Sequence, residues 1–224
     1  MAGIGGRGRA GHSNTVVFTL LLSWFALALG MLGVWICHKT AALSLSGPDL
    51  GEFAKFLPSV QDGSVHLRRQ FFYLPVVTLS AGIALLIGSS RLRFPAWTRW
   101  LTLLLGALAS LQLLPPAWSP VSLRSLEFRA QVLGLAACWL LLACFWLLAR
   151  LPLWLSGSLA GFVALASSGL STWQTWMIMP EVGAVYGMVP TLGGGFWAVQ
   201  IGLVVSAAAS FAAAFWPVGR KWPS

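Results

Sequence analysis

Residues 132–170 read VLGLAACWLLLACFWLLARLPLWLSGSLAGFVALASSGL, an apolar stretch whose single charge is Arg150. A helix rising 1.5 Å per residue crosses the hydrocarbon of a bilayer in roughly 20 residues, so this run is far too long for one crossing. Arg150-Leu151-Pro152 supplies the break, because a charge belongs at the water interface and Pro ends the helix before it. The stretch therefore reads as a helical hairpin of two spans, Val132 to Leu148 and Leu153 to Leu170.

Working outward, uncharged runs of similar size lie at Thr15 to Ile36, Phe71 to Gly88, Trp100 to Leu114 and Phe196 to Trp216. The expectation is an all-α, polytopic membrane protein with six helices in one compact bundle over residues 14–217, flanked by tails at 1–13 and 218–224, and with no strand. Arg7 and Arg9 precede the first run, and Ala26-Leu27-Ala28 resembles a cleavage site, yet the run continues to Ile36, beyond the length of a secretory signal core. The first span is expected to remain in the protein.

Composition points the same way: 58% of the 224 residues are hydrophobic and only 8% charged, whereas a soluble domain carries about a quarter charged residues. The net charge of +9 comes from Lys and Arg placed singly or in short groups beside apolar runs, which argues for lipid headgroups as partners and against nucleic acid. Arg7, Arg9, Arg91, Arg93, Arg99, Arg150, Arg220 and Lys221 fall on the side of the N-terminus, with no acid among them. Lys39, Lys55, Arg68, Arg69, Arg124 and Arg129 fall on the other side, together with all five acids, Asp49, Glu52, Asp62, Glu127 and Glu181. The positive-inside rule then makes both termini cytoplasmic and places the chain as a multi-pass protein of a plasma membrane of the bacterial inner-membrane type. Trp97, Trp100, Trp146, Trp154, Trp216 and Trp222 form a belt on the inner side, and Trp35, Trp118, Trp173, Trp176 and Trp197 form one on the outer side.

The longer connections, at about 37–70, 115–131 and 171–195, are then all external, which directs any activity to the outer face. In the first, Pro48, two acids in the opening turn, and Leu50, Phe53, Leu57 and Val60 at helical spacing describe a short amphipathic helix at the interface, followed by an Asp62-Gly63 turn. In the second, Ser122 or Ser125 is placed to cap a helix, with Arg124, Glu127 and Arg129 pairing on the surface. The third has no Lys or Arg and is read as irregular chain lying along the interface or dipping back, with Glu181 after Pro180 and Gly193-Gly194-Gly195 leading into the last span.

Candidate outer-face functional residues are Glu181, Asp49, Glu52, His38 and His66. The small residues Gly157 and Gly161 in the fifth span, and Gly202, Ser206 and Ser210 in the sixth, recur every four residues and mark faces for close packing, within the bundle or in a homo-oligomer.

No Asp, Glu, Lys, Arg or His lies in the middle of a span, which disfavours proton relays, ion-coupled transport and intramembrane haem. No GxSxG, HExxH, CxxC or Walker pattern occurs. The three cysteines, Cys37, Cys138 and Cys144, show no ligand spacing and read as small apolar residues. No cofactor or metal is expected. The reading is a non-catalytic anchor, scaffold or accessory subunit of a membrane complex presenting its outer loops to a protein partner. One alternative is a permease-like component for an apolar or lipid-like substrate, and another is an outer-face enzyme using Glu181 with His38 or His66.

Overall fold

The computed structural model describes residues 5–37, 44–115, 119–187 and 190–215, with the backbone alone for 5–13. It is built almost wholly of helices: α1 Gly5–Leu32, α2 Gly47–Phe53, α3 Pro58–Gln61, α4 Gln70–Leu86, α5 Ala96–Ser110, α6 Pro120–Arg124, α7 Arg129–Ala143, α8 Phe145–Leu148, α9 Leu153–Tyr186 and α10 Gly194–Phe215. Among the described residues, Asn14–Leu32, Leu153–Tyr186 and Gly194–Phe215 are long and apolar enough to cross a membrane, and Gln70–Leu86 and Arg129–Ala143 are apolar but shorter. The break at Arg150 to Pro152 separates α8 from α9.

The helices α1, α10, α9 and α4 pack in sequence around a common core, and α4 also touches α1. The pair α5 and α7 packs against α4 and against each other. As a result α4 is enclosed on most of its surface, with Phe72, Val76, Leu79, Ile83 and Leu86 fully buried. On α1, Leu20, Trp24, Leu27 and Met31 are buried, while Phe18, Leu22, Phe25, Leu29 and Leu32 stand exposed at alternating four- and three-residue spacing. Water would penalise an open apolar stripe of that length, and lipid would not.

Small residues bring the three long helices into backbone contact. A Cβ added to Gly157 of α9 would lie 2.7 Å from the Ser210 carbonyl oxygen of α10, and one on Gly161 would lie 2.8 Å from the Phe211 ring. On the other side of α10, a Cβ on Gly202 would lie 3.1 Å from the Ser23 carbonyl oxygen of α1, and one on Gly30 of α1 would lie 2.8 Å from the Val199 nitrogen. Ser206 and Ser210 are buried. These contacts are all within one chain.

Three features differ from the expectations above. First, short strands exist where none is expected: β1 Ile36–Cys37 pairs antiparallel with both β2 Ser44–Leu45 and β3 Thr191–Leu192. The reason is that α1 ends beside the start of α10, so backbone groups there must find partners. Trp35 N donates to Leu45 O at 2.7 Å, Gly193 N to Trp35 O at 2.8 Å and Gly195 N to Val34 O at 2.9 Å. Side chains at Gly193 and Gly195 would overlap Val34 and Gly33, so the glycine run serves this close approach.

Second, residues 171–186 are not irregular. They continue α9 through Pro180 to Gly187, whose φ of 68° closes the helix. Its 34 residues span about 51 Å, longer than a bilayer core of about 30 Å, and Tyr186 at its end stacks on Phe53 of α2 with ring centroids 6.2 Å apart. Third, Trp35 is fully buried rather than part of a belt. Its Nε1 donates to Gly30 O at 3.1 Å, and its ring meets Phe196 edge-on at 5.6 Å. Trp97, Trp100, Trp146, Trp154, Trp173, Trp176 and Trp197 are exposed. Trp118, Trp216 and Trp222 lie outside the described residues.

Because Gly157 meets backbone, Gly157→Leu should lower stability by about 1–3 kcal/mol through overpacking, whereas Gly169→Ala, where nothing lies within 4 Å, should be neutral or slightly stabilising. Thermal unfolding of the purified variants in detergent measures both.

Candidate functional site

The site begins with the start of α2. Ser46 and Asp49 form a reciprocal cap, in which Asp49 N donates to Ser46 Oγ at 3.4 Å and Ser46 N donates to Asp49 Oδ2 at 3.2 Å. The Ser46 hydroxyl also donates to Asp49 Oδ2 at 2.6 Å. Pro48 sits in the first turn, and Gly47 lies against the buried Trp35 ring. Leu50, Ala54 and Leu57 are buried in the bundle core, so the apolar stripe of this segment faces protein. The Asp62 turn follows, with Ser64 N donating to Asp62 Oδ1 at 2.9 Å and Gly63 at a φ of 79°. This backbone hydrogen bond holds the Asp62 carboxyl below its ordinary range.

Packing of that stripe turns Glu52 and Lys55 toward the first turns of α4 and α7. Tyr73 Oη donates to Glu52 Oε1 at 2.8 Å, and Gln131 Nε2 reaches Glu52 Oε1 at 2.6 Å and Tyr73 Oη at 2.7 Å. On the other oxygen, Lys55 Nζ lies 3.2 Å and Arg69 Nη1 3.5 Å from Glu52 Oε2. Glu127 closes the group, its Oε1 3.0 Å from Lys55 Nζ and 3.5 Å from Arg69 Nη1. Arg69 Nη2 also donates to the Glu127 carbonyl at 3.3 Å. Lys55 lies over the rings of Phe56 and Phe128 at 5.1 and 5.6 Å.

Two carboxylates and two cations make this group formally neutral, which is what allows Glu52 to sit with its side chain only 14% exposed. Burial pushes the Glu52 carboxyl up, but hydrogen bonds from Tyr73, Gln131 and Lys55 and the charge of Arg69 outweigh it and hold the group below its ordinary value. The hydrogen bond to Glu127 raises Lys55, against a smaller opposing effect of burial. Gln131 Oε1 is buried without a hydrogen-bond partner.

Beside this network, between the ends of α1 and α5, lies an open cleft of about 390 Å³. Met31, Leu32, Ser46, Asp49, Tyr73 and Gln112 are among the residues that line it, and Glu52 stands in its wall.

The candidate residues therefore separate. Glu52 is the centre of the network, and Asp49 caps α2 and lines the cleft. Glu181 is half-buried on α9 and His66 is exposed before α4; neither forms an ion pair or hydrogen bond among the described residues, and nothing joins them to Glu52. His38 lies outside the described residues. Glu127 pairs with Lys55 and Arg69 rather than with Arg124 and Arg129, because α7 begins beside α4 and the chain turn carries Glu127 toward Lys55 and Arg69 at the surface. Its preceding helix α6 has Ser119 at its N-cap, with Ser122 as the reciprocal partner of the capping box, while Ser125 stands at the other end of the helix.

Tyr73 and Gln131 are not legible as site residues in the sequence because each opens an apolar run and forms no motif with its neighbours. Glu52 and Lys55 at three-residue spacing are the available signal. Within the bundle, Ser168 Oγ donates to Gln200 Oε1 at 2.7 Å and Gln200 Nε2 to Ser171 Oγ at 3.1 Å, a polar link between α9 and α10. Among the described residues no group of three or more His, Cys, Asp or Glu side chains is placed to hold a metal ion.

Comparison with protein-family models, with curated proteins and with solved structures finds no match for this chain.

Removing Glu52 takes the carboxylate acceptor from Tyr73 and Gln131 and leaves Lys55 and Arg69 with Glu127 alone, so Glu52→Ala should cost about 3 kcal/mol. Glu127→Ala, at a residue with a 47% exposed side chain, should cost less than about 1 kcal/mol. Denaturant titration in detergent separates the two. The folded pKa of Glu52 lies below the unfolded one, so its stabilisation is complete above about pH 4.3 and is lost as pH falls through the folded value. Glu52→Gln should flatten that acid limb in a stability–pH series.

Proposed function

We propose that the chain is a six-span protein of a bacterial-type plasma membrane, with both termini cytoplasmic, acting as a non-catalytic anchor, scaffold or accessory subunit. In this reading α1, α4, α5, α7 with α8, α9 and α10 are the spans, and the end bearing α2 and the Glu52 network is external. The exposed apolar stripes and the separation of acid-free from acid-bearing connections support it.

The observation that carries the non-catalytic part is the use of the external charges on one another. Glu52, Glu127, Lys55 and Arg69 are mutually paired, and Asp49 is engaged in a helix cap. This arrangement stiffens the outer end and joins the first and second connections into one cap. Among the described residues, the surface left for a partner is α6 and its exit, where Val121 and Leu126 are 80% and 84% exposed beside the exposed Arg124 and Arg129. Apolar side chains flanked by arginines suit a protein partner with an acidic rim.

Affinity purification of the full chain in mild detergent should recover a stoichiometric partner, and Leu126→Glu should release it without changing the unfolding temperature. A solitary monomer with catalytic turnover would count against the scaffold reading. For topology, single cysteines at positions 49 and 91 in a cysteine-free background should react with an impermeant maleimide from opposite sides; reaction from one side overturns the threading.

A further inference from the structure

The cleft between the ends of α1 and α5 holds two polar side chains that the network does not use. Asp49 forms no ion pair among the described residues, its cap contacts go to Oδ2, and no hydrogen bond from a described residue reaches Oδ1. Gln112 lines the same cleft and forms no hydrogen bond among the described residues. Glu52 and Tyr73 in its wall are already saturated by each other, Gln131, Lys55 and Arg69. Among the described residues that line the cleft, the remaining charge is therefore the carboxylate of Asp49. Neither α1 nor α5 has a basic residue in its own last turn, so the partial negative charge of both helix ends adds to that of Asp49.

Apolar surface continues from the cleft along both helices. Leu29 and Leu32 on α1 and Leu104 and Leu108 on α5 are all more than half exposed. A ligand matching this site has a compact cationic head that donates hydrogen bonds and a hydrocarbon tail. We infer that the cleft binds a lipid whose headgroup ends in a primary ammonium, with the ammonium between Asp49 Oδ1 and the Gln112 amide oxygen and an acyl chain between the exposed faces of α1 and α5. An ammonium supplies three donors, and a quaternary ammonium of the same charge supplies none. The inference rests on the bundle lying in lipid, but it requires neither a protein partner nor a non-catalytic role.

The test uses the full chain in nanodiscs doped with phosphatidylethanolamine carrying a photoreactive diazirine in its acyl chain, or with its choline or glycerol counterpart. Peptide mapping should find crosslinks at Leu29–Leu32 and Leu104–Leu114 about tenfold stronger for the ethanolamine lipid than for either counterpart. Asp49→Asn keeps an acceptor for Ser46 and should abolish that preference while the unfolding temperature stays unchanged. Gln112→Leu provides a second variant, expected to weaken the preference. Equal labelling by the three lipids, or a preference retained in Asp49→Asn, overturns the inference. Displacement by excess soluble ethanolamine overturns the lipid source of the amine. Failure of the membrane reading looks different, because the exposed stripe from Phe18 to Leu29 would then remain unlabelled by all three lipids.

Discussion

Backbone contact between helices at glycine underlies the rest of the structure. With α10 held between α1 and α9 at Gly157, Gly202 and Gly30, carbonyl oxygens lie where side chains would otherwise keep the helices apart, and Gly161 makes room for the Phe211 ring. Apolar helices in lipid gain little from expelling solvent, so dispersion across a close interface is the main attraction available. The same contact sets the level at which α1 ends beside the beginning of α10. From that level follow the pairing of β1 with β2 and β3, the burial of Trp35 and the seating of Gly47 on its ring.

Seating α2 in this way has an electrostatic consequence. Leu50, Ala54 and Leu57 go inward, and Glu52 is carried with them to the first turns of α4 and α7. A carboxylate there is tolerable only with its lone pairs occupied and its charge balanced. Tyr73 and Gln131 meet the first need, and Lys55, Arg69 and Glu127 complete a neutral group. The long α9 reaches the same cap through Tyr186 against Phe53, and Arg68 N donates to Gln174 Oε1 of α9 at 3.0 Å. The cap is thus joined to three helices of the bundle, while α6 stays outside it.

Legibility in the sequence differs from residue to residue. The helical periodicity of Leu50, Phe53 and Leu57 and the proline in the first turn are visible there because they are local. Trp35 resembles an interfacial tryptophan until the sheet encloses it. Residues 171–186 lack Lys and Arg and contain Pro180, which suggests broken structure, but the lost hydrogen bond is tolerated inside a long helix packed on its neighbours. Of the candidate site residues, Glu52 enters the network and His66 and Glu181 do not, a division that no spacing in the chain could express.

The amino-acid order alone dictates the helical class, the break at Arg150 to Pro152 and the small-residue positions, since each depends on hydropathy, charge or side-chain size within a few turns. Packing selects which acid is buried, which cations answer it and where a cleft remains open. Those outcomes join residues 52, 73 and 131, and a hydrogen bond across such separations exists only after helix packing has brought the ends of α4 and α7 side by side.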